Sequence, residues 1–229
     1  MTIGIFDSGE GGANLLYHLR RRNKADDVIF LCDRGRAPYG TKRDFELSGI
    51  VNDNISSLKH MGADRVIIAC CTACTVFDTV EDKAGVFPIL YKTAKRAEVI
   101  SRGSIAVIAT GRTVASHAFR RAIKDREVIE IEAQPLVGIV DGGENDLCHS
   151  ESTRRTVTDI LKKARGADTL VLGCTHFSSL YGLISEIGEK MGIRRIVDAA
   201  RVGAESAPRT SGEGGIDYIF KTNESGRPI

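Results

Sequence analysis

Two short stretches decide the fold, VIIACCTA from Val66 to Ala73 and VLGCTHF from Val171 to Phe177. Each is an apolar run that ends in a cysteine followed by hydroxyl-bearing residues. This pattern predicts a buried parallel strand that carries a thiol to the loop at its carboxyl end. Because ligands of open α/β sheets bind at that end, Cys70 and Cys174 are expected on two sides of one cleft.

The composition is that of an ordinary globular protein. The chain has 229 residues, of which 42% are apolar and 27% charged, and its formal net charge is +2. No basic cluster alternates with aromatic residues, so no nucleic-acid partner is expected. No apolar run approaches the roughly 18 residues of a membrane helix, so no membrane partner is expected either.

The cysteines point to a reducing compartment. The six thiols lack the dense spacing of a small secreted scaffold, and no signal-like segment precedes the first predicted strand. We therefore expect a cytoplasmic protein. Cys32 and Cys148 are interpreted as small apolar core residues.

Strand and helix patterns alternate along the chain, which predicts the α/β class with mainly parallel sheets flanked by helices. The first strand, Ile3 to Phe6, runs into the Gly-rich turn Asp7 to Gly12 and a helix that starts near Ala13. The other predicted strands are Val28–Asp33, Pro88–Tyr91, Ser104–Ala109, Val128–Ala133, Arg195–Ala199 and Ile216–Phe220. The other predicted helices are Lys42–Met61, Ala94–Arg102, one through about Lys124 that follows Thr110-Gly111-Arg112-Thr113, Glu151–Arg165, one ending near Met191 and a short one after Ala199.

The pattern also repeats. Ile5 precedes Cys70 by 65 positions, and Val107 precedes Cys174 by 67. We interpret this as two similar domains with the active site in the cleft between them. The first comprises residues 1–93 plus 199–229, and the second residues 94–198. Crossings are expected near Lys92 to Lys95 and near Asp198, and the polar end from Thr222 to Ile229 is expected to fray.

Several motifs together resemble the cofactor-independent aspartate/glutamate racemase family, and in particular glutamate racemases. They occur in the family's order over nearly the whole chain. The motifs are Ile3-Gly4-Ile5-Phe6-Asp7-Ser8-Gly9 with Gly11-Gly12, Asp33 with Pro38-Tyr39-Gly40, Ala69-Cys70-x-Thr72-Ala73, Ala109-Thr110-x-x-Thr113-Val114-x-Ser116, and Leu172-Gly173-Cys174-Thr175-His176.

The resemblance implies a two-domain enzyme that interconverts L- and D-glutamate, supplies D-glutamate for peptidoglycan, uses no cofactor and pairs as a homodimer. It implies two active-site cysteines, Cys70 and Cys174. The substrate-binding residues that it implies are Asp7, Ser8, Tyr39, Gly40, Cys71, Thr72, Thr175 and His176.

Elementary chemistry agrees with two thiols. Inverting a stereocentre needs a base on one face of the carbon and an acid on the other, and a thiol with a thiolate can exchange these roles. A cysteine pKa near 8.5 has to be lowered for this purpose, and we assign that task to Asp7 beside Cys70 and to His176 beside Cys174. Donors at the Gly11-Gly12 and Thr72-Ala73 turns, with the Ser8, Thr72 and Thr175 hydroxyls, are expected to stabilise the carbanion.

The chain departs from the family pattern around the expected pocket. Cys71 stands where the family has Asn, which removes an amide able to bind substrate. Glu10 replaces an apolar residue, Phe177-Ser178 replaces Tyr-Pro, and the position of a family Glu falls near Asp141.

These departures keep alternatives open. One is a racemase of aspartate or another small acid, and another is a catalytically impaired relative that binds or regulates a partner. A zinc site is a further alternative to the preferred interpretation, which has no metal. Its ligands would come from Cys70, Cys71, Cys74, Cys174 and His176.

Overall fold

The computed structural model describes residues 1–22, 27–143, 148, 150–207 and 214–220. The predicted frayed end, Thr222 to Ile229, lies outside these ranges. The strands are β1 Thr2–Asp7, β2 Asp27–Cys32, β3 Arg65–Ile68, β4 Val86–Pro88, β5 Ile105–Ala109, β6 Val128–Glu132, β7 Thr169–Leu172, β8 Arg195–Asp198 and β9 Ile216–Phe220. The helices are α1 Gly12–Arg22, α2 Asp44–His60, α3 Cys71–Cys74, α4 Ile89–Ile100, α5 Gly111–Ala115, α6 Ala118–Ala122, α7 Gln134–Asp141, α8 Glu151–Lys162, α9 Tyr181–Lys190 and α10 Ala199–Glu205.

These strands form two parallel sheets, with the orders β4-β3-β1-β2-β9 and β6-β5-β7-β8. In each sheet the strand that leads to a key cysteine, β3 or β7, pairs with the first strand of its half, β1 or β5. Strands β1 to β4 of the first sheet have the spatial order β2-β1-β3-β4, and the corresponding strands of the second sheet have the order β6-β5-β7-β8. The two orders are the same, which matches the repeat in the sequence. The predicted α/β class, with two parallel sheets flanked by helices, is confirmed.

The C-terminal segment returns to the first sheet, where β9 pairs with β2. The predicted crossing from Lys92 to Lys95 lies inside the continuous helix α4, so no loop marks it. Helix α4 contacts β7, β8 and α10, and α10 contacts α1. These helices therefore join the two halves, and the domain limits at 93/94 and 198/199 stay a prediction.

The structure corrects several element boundaries. The strand predicted at Pro88–Tyr91 is wrong, because β4 ends at Pro88 and α4 begins at Ile89. Ile89 and Leu90 are buried with Thr93, Ala94 and Ala97, a helical spacing that a short apolar run does not reveal.

The single helix predicted after Thr110-Gly111-Arg112-Thr113, ending near Lys124, is two short helices, α5 and α6, and α5 already begins at Gly111. His117 breaks it with a φ of 51°, in the left-handed region that ends helical hydrogen bonding. Helix α7 was not predicted.

The apolar core is continuous through both sheets. Its larger cluster includes Ile5 and Val66 of the first sheet with Val107 and Val171 of the second. Gly203 of α10 is one of its close contacts, because a Cβ there would lie 2.6 Å from Leu15 Cδ1 and 2.7 Å from Ile89 Cγ2. Only a residue without a side chain allows α10 to approach α1 and α4 this closely.

We expect Gly203→Ala to lower the free energy of unfolding by about 1–3 kcal/mol, because the added methyl overpacks buried side chains. Chemical denaturation followed by circular dichroism measures the change. Gly49→Ala in α2 is the matched control: a Cβ there meets nothing within 4 Å, so helix propensity should stabilise that variant by up to about 1 kcal/mol. Equal stability of the two variants would contradict the packing argument.

Candidate active site

The loops at the carboxyl ends of both sheets enclose a cavity of about 590 Å³. All ten residues predicted for the site line it: Asp7, Ser8, Tyr39, Gly40, Cys70, Cys71, Thr72, Cys174, Thr175 and His176. The tertiary structure therefore brings together side chains from widely separated parts of the chain.

Cys70 lies between β3 and α3 and is 7% exposed. Its sulfur lies 3.4 Å from the Ser8 hydroxyl. Burial raises the pKa of Cys70 to about 12, and the negative charge of Asp7 adds to the shift. Cys70 is therefore a protonated thiol at neutral pH.

Asp7 is the last residue of β1 and is fully buried. One carboxylate oxygen accepts hydrogen bonds from the Gly9 N–H at 3.1 Å and the Ser8 hydroxyl at 3.4 Å. The other accepts from the Thr175 hydroxyl at 3.0 Å, across the two halves. Burial raises the pKa of Asp7 although these donors and His176 oppose the shift. The expectation that Asp7 lowers the pKa of Cys70 is wrong in direction, because two neighbouring groups disfavour ionising together.

Cys174 and His176 form the other side of the cavity. The Cys174 sulfur lies 3.6 Å from His176 Nδ1, and His176 Nε2 lies 3.1 Å from Asp141 Oδ1. Burial favours the neutral imidazole, but the hydrogen bonds with Asp141 and Cys174 outweigh it and raise the pKa of His176 to about 11. The imidazole is therefore a cation whose two N–H groups point at a sulfur and a carboxylate.

Three threonine hydroxyls meet where the halves touch. Thr72 Oγ1 lies 2.9 Å from Thr110 Oγ1 and 3.3 Å from Thr113 Oγ1, and the latter two are 2.9 Å apart. Thr72 and Thr110 line the cavity. Because each hydroxyl can donate or accept, this cluster can turn a hydrogen towards an anion.

Tyr39 lines the cavity, but its hydroxyl is committed elsewhere. It donates to Asp33 and accepts from Asn54 Nδ2 at 2.9 Å. Arg36 binds Asp33 through its Nε, at 3.0 and 2.8 Å from the two carboxylate oxygens. Tyr39 thus anchors the loop that carries Gly40. Because its hydroxyl already has two partners, the backbone groups of this loop are the ones left to bind a ligand.

Gly11 and Gly12 do not line the cavity, contrary to the expectation that their amides face substrate. A Cβ at Gly11 would lie 2.5 Å from His176 Nδ1 and 2.6 Å from Thr175 Oγ1. Gly11 instead gives the Thr175-His176 loop room to approach the first sheet.

Each departure from the family pattern has a defined place. Cys71 is 2% exposed, and burial raises its pKa well above the ordinary value. Glu10 Oε1 accepts from Arg34 Nη1 at 2.6 Å. Phe177 is fully buried, and the Ser178 hydroxyl donates to Asp198 at 2.6 Å.

The side chains that line the cavity and that sequence reasoning missed include Arg34, Arg112, Gln134 and Val137. Arg34 and Arg112 lie within the span of two family motifs, but at positions that the motifs leave unspecified. Gln134 and Val137 lie on α7, as does Asp141, which only a loose alignment had indicated.

No three His, Cys, Asp or Glu side chains within the described ranges are grouped so that they could hold a metal ion, and this includes the five residues considered for zinc. No helix in the described part of the chain is long and apolar enough to cross a membrane.

Comparison with known proteins identifies the class. The family model for Asp/Glu/Hydantoin racemase matches residues 27–207. The chain is 35% identical to the glutamate racemase of Neisseria meningitidis serogroup A / serotype 4A, over 97% of this chain and 87% of the relative. It belongs to the Asp/Glu/Hydantoin racemase family, and the predicted enzyme class, an isomerase of the racemase type, is confirmed.

Solved structures share the fold. A glutamate racemase isoform from Bacillus anthracis superposes with a TM-score of 0.86 at 22% identity, covering 98% of this chain and 90% of the other. The glutamate racemase of Aquifex pyrophilus gives a TM-score of 0.76 at 31% identity, covering 96% and 89%. The two-sheet architecture is therefore that of the family.

Asp141→Asn should lower the pKa of His176 from about 11, because the negative acceptor that favours the imidazolium is lost. In the wild type the ring should show no titration between pH 6 and 9 in a histidine-resolved NMR experiment, since it stays charged below its raised pKa. In the variant the midpoint of the His176 titration should move to a lower pH. Asp159→Asn removes an exposed α8 carboxylate paired with Lys162 and should leave the titration of His176 unchanged. A wild-type His176 that titrates near its ordinary pKa of about 6.5 would contradict the assignment.

Proposed function

We propose that this protein is a glutamate racemase that moves the α-proton between Cys70 and Cys174 without a cofactor. The observation that carries the proposal is that two thiols, delivered by corresponding strands of two similar sheets, line one cavity. The relatives named glutamate racemase support glutamate as the substrate.

The environments of the two thiols differ in a way that suits proton transfer in opposite senses. Cys70 holds its proton because its pKa is about 12. Cys174 has a cationic imidazole beside its sulfur. In one direction Cys174 takes the α-proton and Cys70 gives its own proton to the opposite face of the carbon.

The reverse direction requires Cys70 to lose its proton. Ser8 Oγ lies 3.4 Å from both Cys70 Sγ and Asp7 Oδ1. The raised pKa of Asp7 makes its carboxylate a better acceptor than an ordinary aspartate. We infer that Asp7 receives the Cys70 proton through the Ser8 hydroxyl, and that His176 serves Cys174 directly.

The carbanion places charge on the substrate carboxylate, so donors preorganised at that group lower the barrier. Thr72 and Thr110 present hydroxyls to the cavity from a cluster fixed by mutual hydrogen bonds. The buried Cys71 has no amide to donate to the substrate carboxylate. The Thr72 and Thr110 hydroxyls therefore contribute more to stabilising its charge than the family pattern implies.

The charges of the cavity suit an acidic amino acid. The lining contains the acidic side chains Asp7, Glu10 and Asp141 and the basic side chains Arg34, Arg112 and His176. A substrate with one ammonium and two carboxylates can find partners of both signs. Aspartate carries the same groups and is the competing substrate.

The biological setting belongs to the same proposal. D-glutamate supplied to peptidoglycan synthesis, a cytoplasmic location and a homodimeric assembly all follow from the family resemblance. A non-catalytic binding or regulatory role is the alternative that an activity assay decides.

Cys70→Ser and Cys174→Ser should each reduce racemisation by at least about 10²–10⁴-fold, because a serine hydroxyl is a far poorer acid and base at this position. Chiral chromatography of reactions started from L- and D-glutamate measures the rates, and the same assay with both aspartate enantiomers compares the substrates. Each variant should retain weak α-hydrogen exchange in D₂O with the enantiomer whose hydrogen faces the remaining thiol.

Cys148→Ser is the matched control, because Cys148 does not line the cavity, and it should racemise at the wild-type rate. A Cys70 or Cys174 variant as active as the wild type would refute the two-thiol mechanism. A folded wild type that racemises neither amino acid would refute the proposed activity.

A further inference from the structure

Arg34 and Glu10 form an ion pair at the cavity, and neither residue has yet been given a specific role. Arg34 begins the 3₁₀ turn Arg34–Arg36 after β2, and Glu10 lies in the turn after β1. Arg34 Nη1 lies 2.6 Å from Glu10 Oε1, and the side chains are 37% and 68% exposed. Both residues line the cavity.

The other two cationic groups that line the cavity already bind protein partners, although the buried Arg112 Nε has none among the described residues. Arg112 donates to the Lys42 carbonyl at 2.7 Å and to Asp44 at 2.6 Å. His176 is held between Cys174 and Asp141. Arg34 is held by a single exposed carboxylate, as far as the contacts of the described residues show.

Exchange of that carboxylate costs little. An ion pair as exposed as this one contributes little to stability, and Glu10 remains hydrated when Arg34 leaves it. A guanidinium that pairs with a ligand carboxylate inside a cavity, with fewer competing waters, forms a stronger and more directional contact.

Arg34 also acts across the cavity. The pKa of Asp141 is lowered chiefly by its hydrogen bond with His176, and the charge of Arg34 adds to the effect. Arg34 thus acts on the residue that supports His176, and Arg34, Asp141 and His176 line the same cavity.

Resting on the proposed racemase function, we propose that Arg34 binds the side-chain carboxylate of a dicarboxylic amino acid and that Glu10 is the internal carboxylate that competes for it. Arg34 then selects acidic amino acids over neutral ones of the same length. Glu10 weakens substrate binding by an amount that depends on Arg34.

Arg34→Gln should weaken the binding of D-glutamate by about 10- to 100-fold, as expected for the loss of a charge-assisted hydrogen bond. It should change the binding of D-glutamine, which lacks the second charge, much less. Glu10→Gln should strengthen the binding of D-glutamate, and this gain should disappear when Arg34→Gln is also present. Isothermal titration calorimetry on the full chain measures each affinity, and circular dichroism confirms that the variants fold.

The matched control is Glu186→Gln, which removes a carboxylate from the exposed Arg154–Glu186 ion pair and should leave both affinities unchanged. An Arg34→Gln variant that binds D-glutamate like the wild type overturns the proposal. So does a Glu10→Gln gain that persists without Arg34, because Glu10 would then act as a general repulsive charge.

The calorimetry separates this proposal from the racemase function. If the wild type binds glutamate through Arg34 but does not racemise it, only the proposed racemase function is refuted. If the protein racemises glutamate but binds it independently of Arg34, only the proposed role of Arg34 is refuted. A wild type that binds no glutamate would refute both proposals.

Discussion

The hydrogen bond from Thr175 to Asp7 is the contact on which the arrangement of the cavity depends. It joins the carboxyl end of β1 to the loop after β7, so it fixes the first sheet relative to the second at the point where the two thiols are presented. Both groups are buried, and a buried carboxylate that loses a donor costs about 1–3 kcal/mol. Gly11 makes the contact possible, since any side chain there would collide with Thr175 and His176.

The electrostatics differ between the two sides of the cavity. Asp7 is removed from water and close to Cys70, so its negative charge adds to the effect of burial in raising the pKa of Cys70. On the other side, Asp141 and Cys174 surround His176 and keep it charged. Two sheets of similar topology therefore present their cysteines in unlike environments, which suits the proposed transfer of a proton from one thiol and to the other.

The departures from the family pattern have local compensations. Glu10 brings a negative charge to the cavity, and Arg34 neutralises it. Cys71 replaces an amide, and the Thr72-Thr110-Thr113 cluster supplies hydroxyls beside it. Ser178 donates to Asp198, whose side chain also accepts from the Ala200 N–H at the start of α10. The chain thus makes polar contacts at Glu10 and Ser178 and beside Cys71.

The sequence by itself determined the α/β class and the repeat, because apolar runs with a cysteine at the end mark strands. Its motifs also predicted ten site residues, all of which line the cavity. It did not determine where α4 starts or that α7 exists, since short apolar segments suit either a strand or a helix. Only the tertiary structure decided that the Tyr39 hydroxyl serves Asp33, that Gly11 faces His176 rather than the cavity, and that Asp7 raises the pKa of Cys70. These facts depend on distances and burial between segments far apart in the chain, and a linear pattern of residue types carries neither quantity.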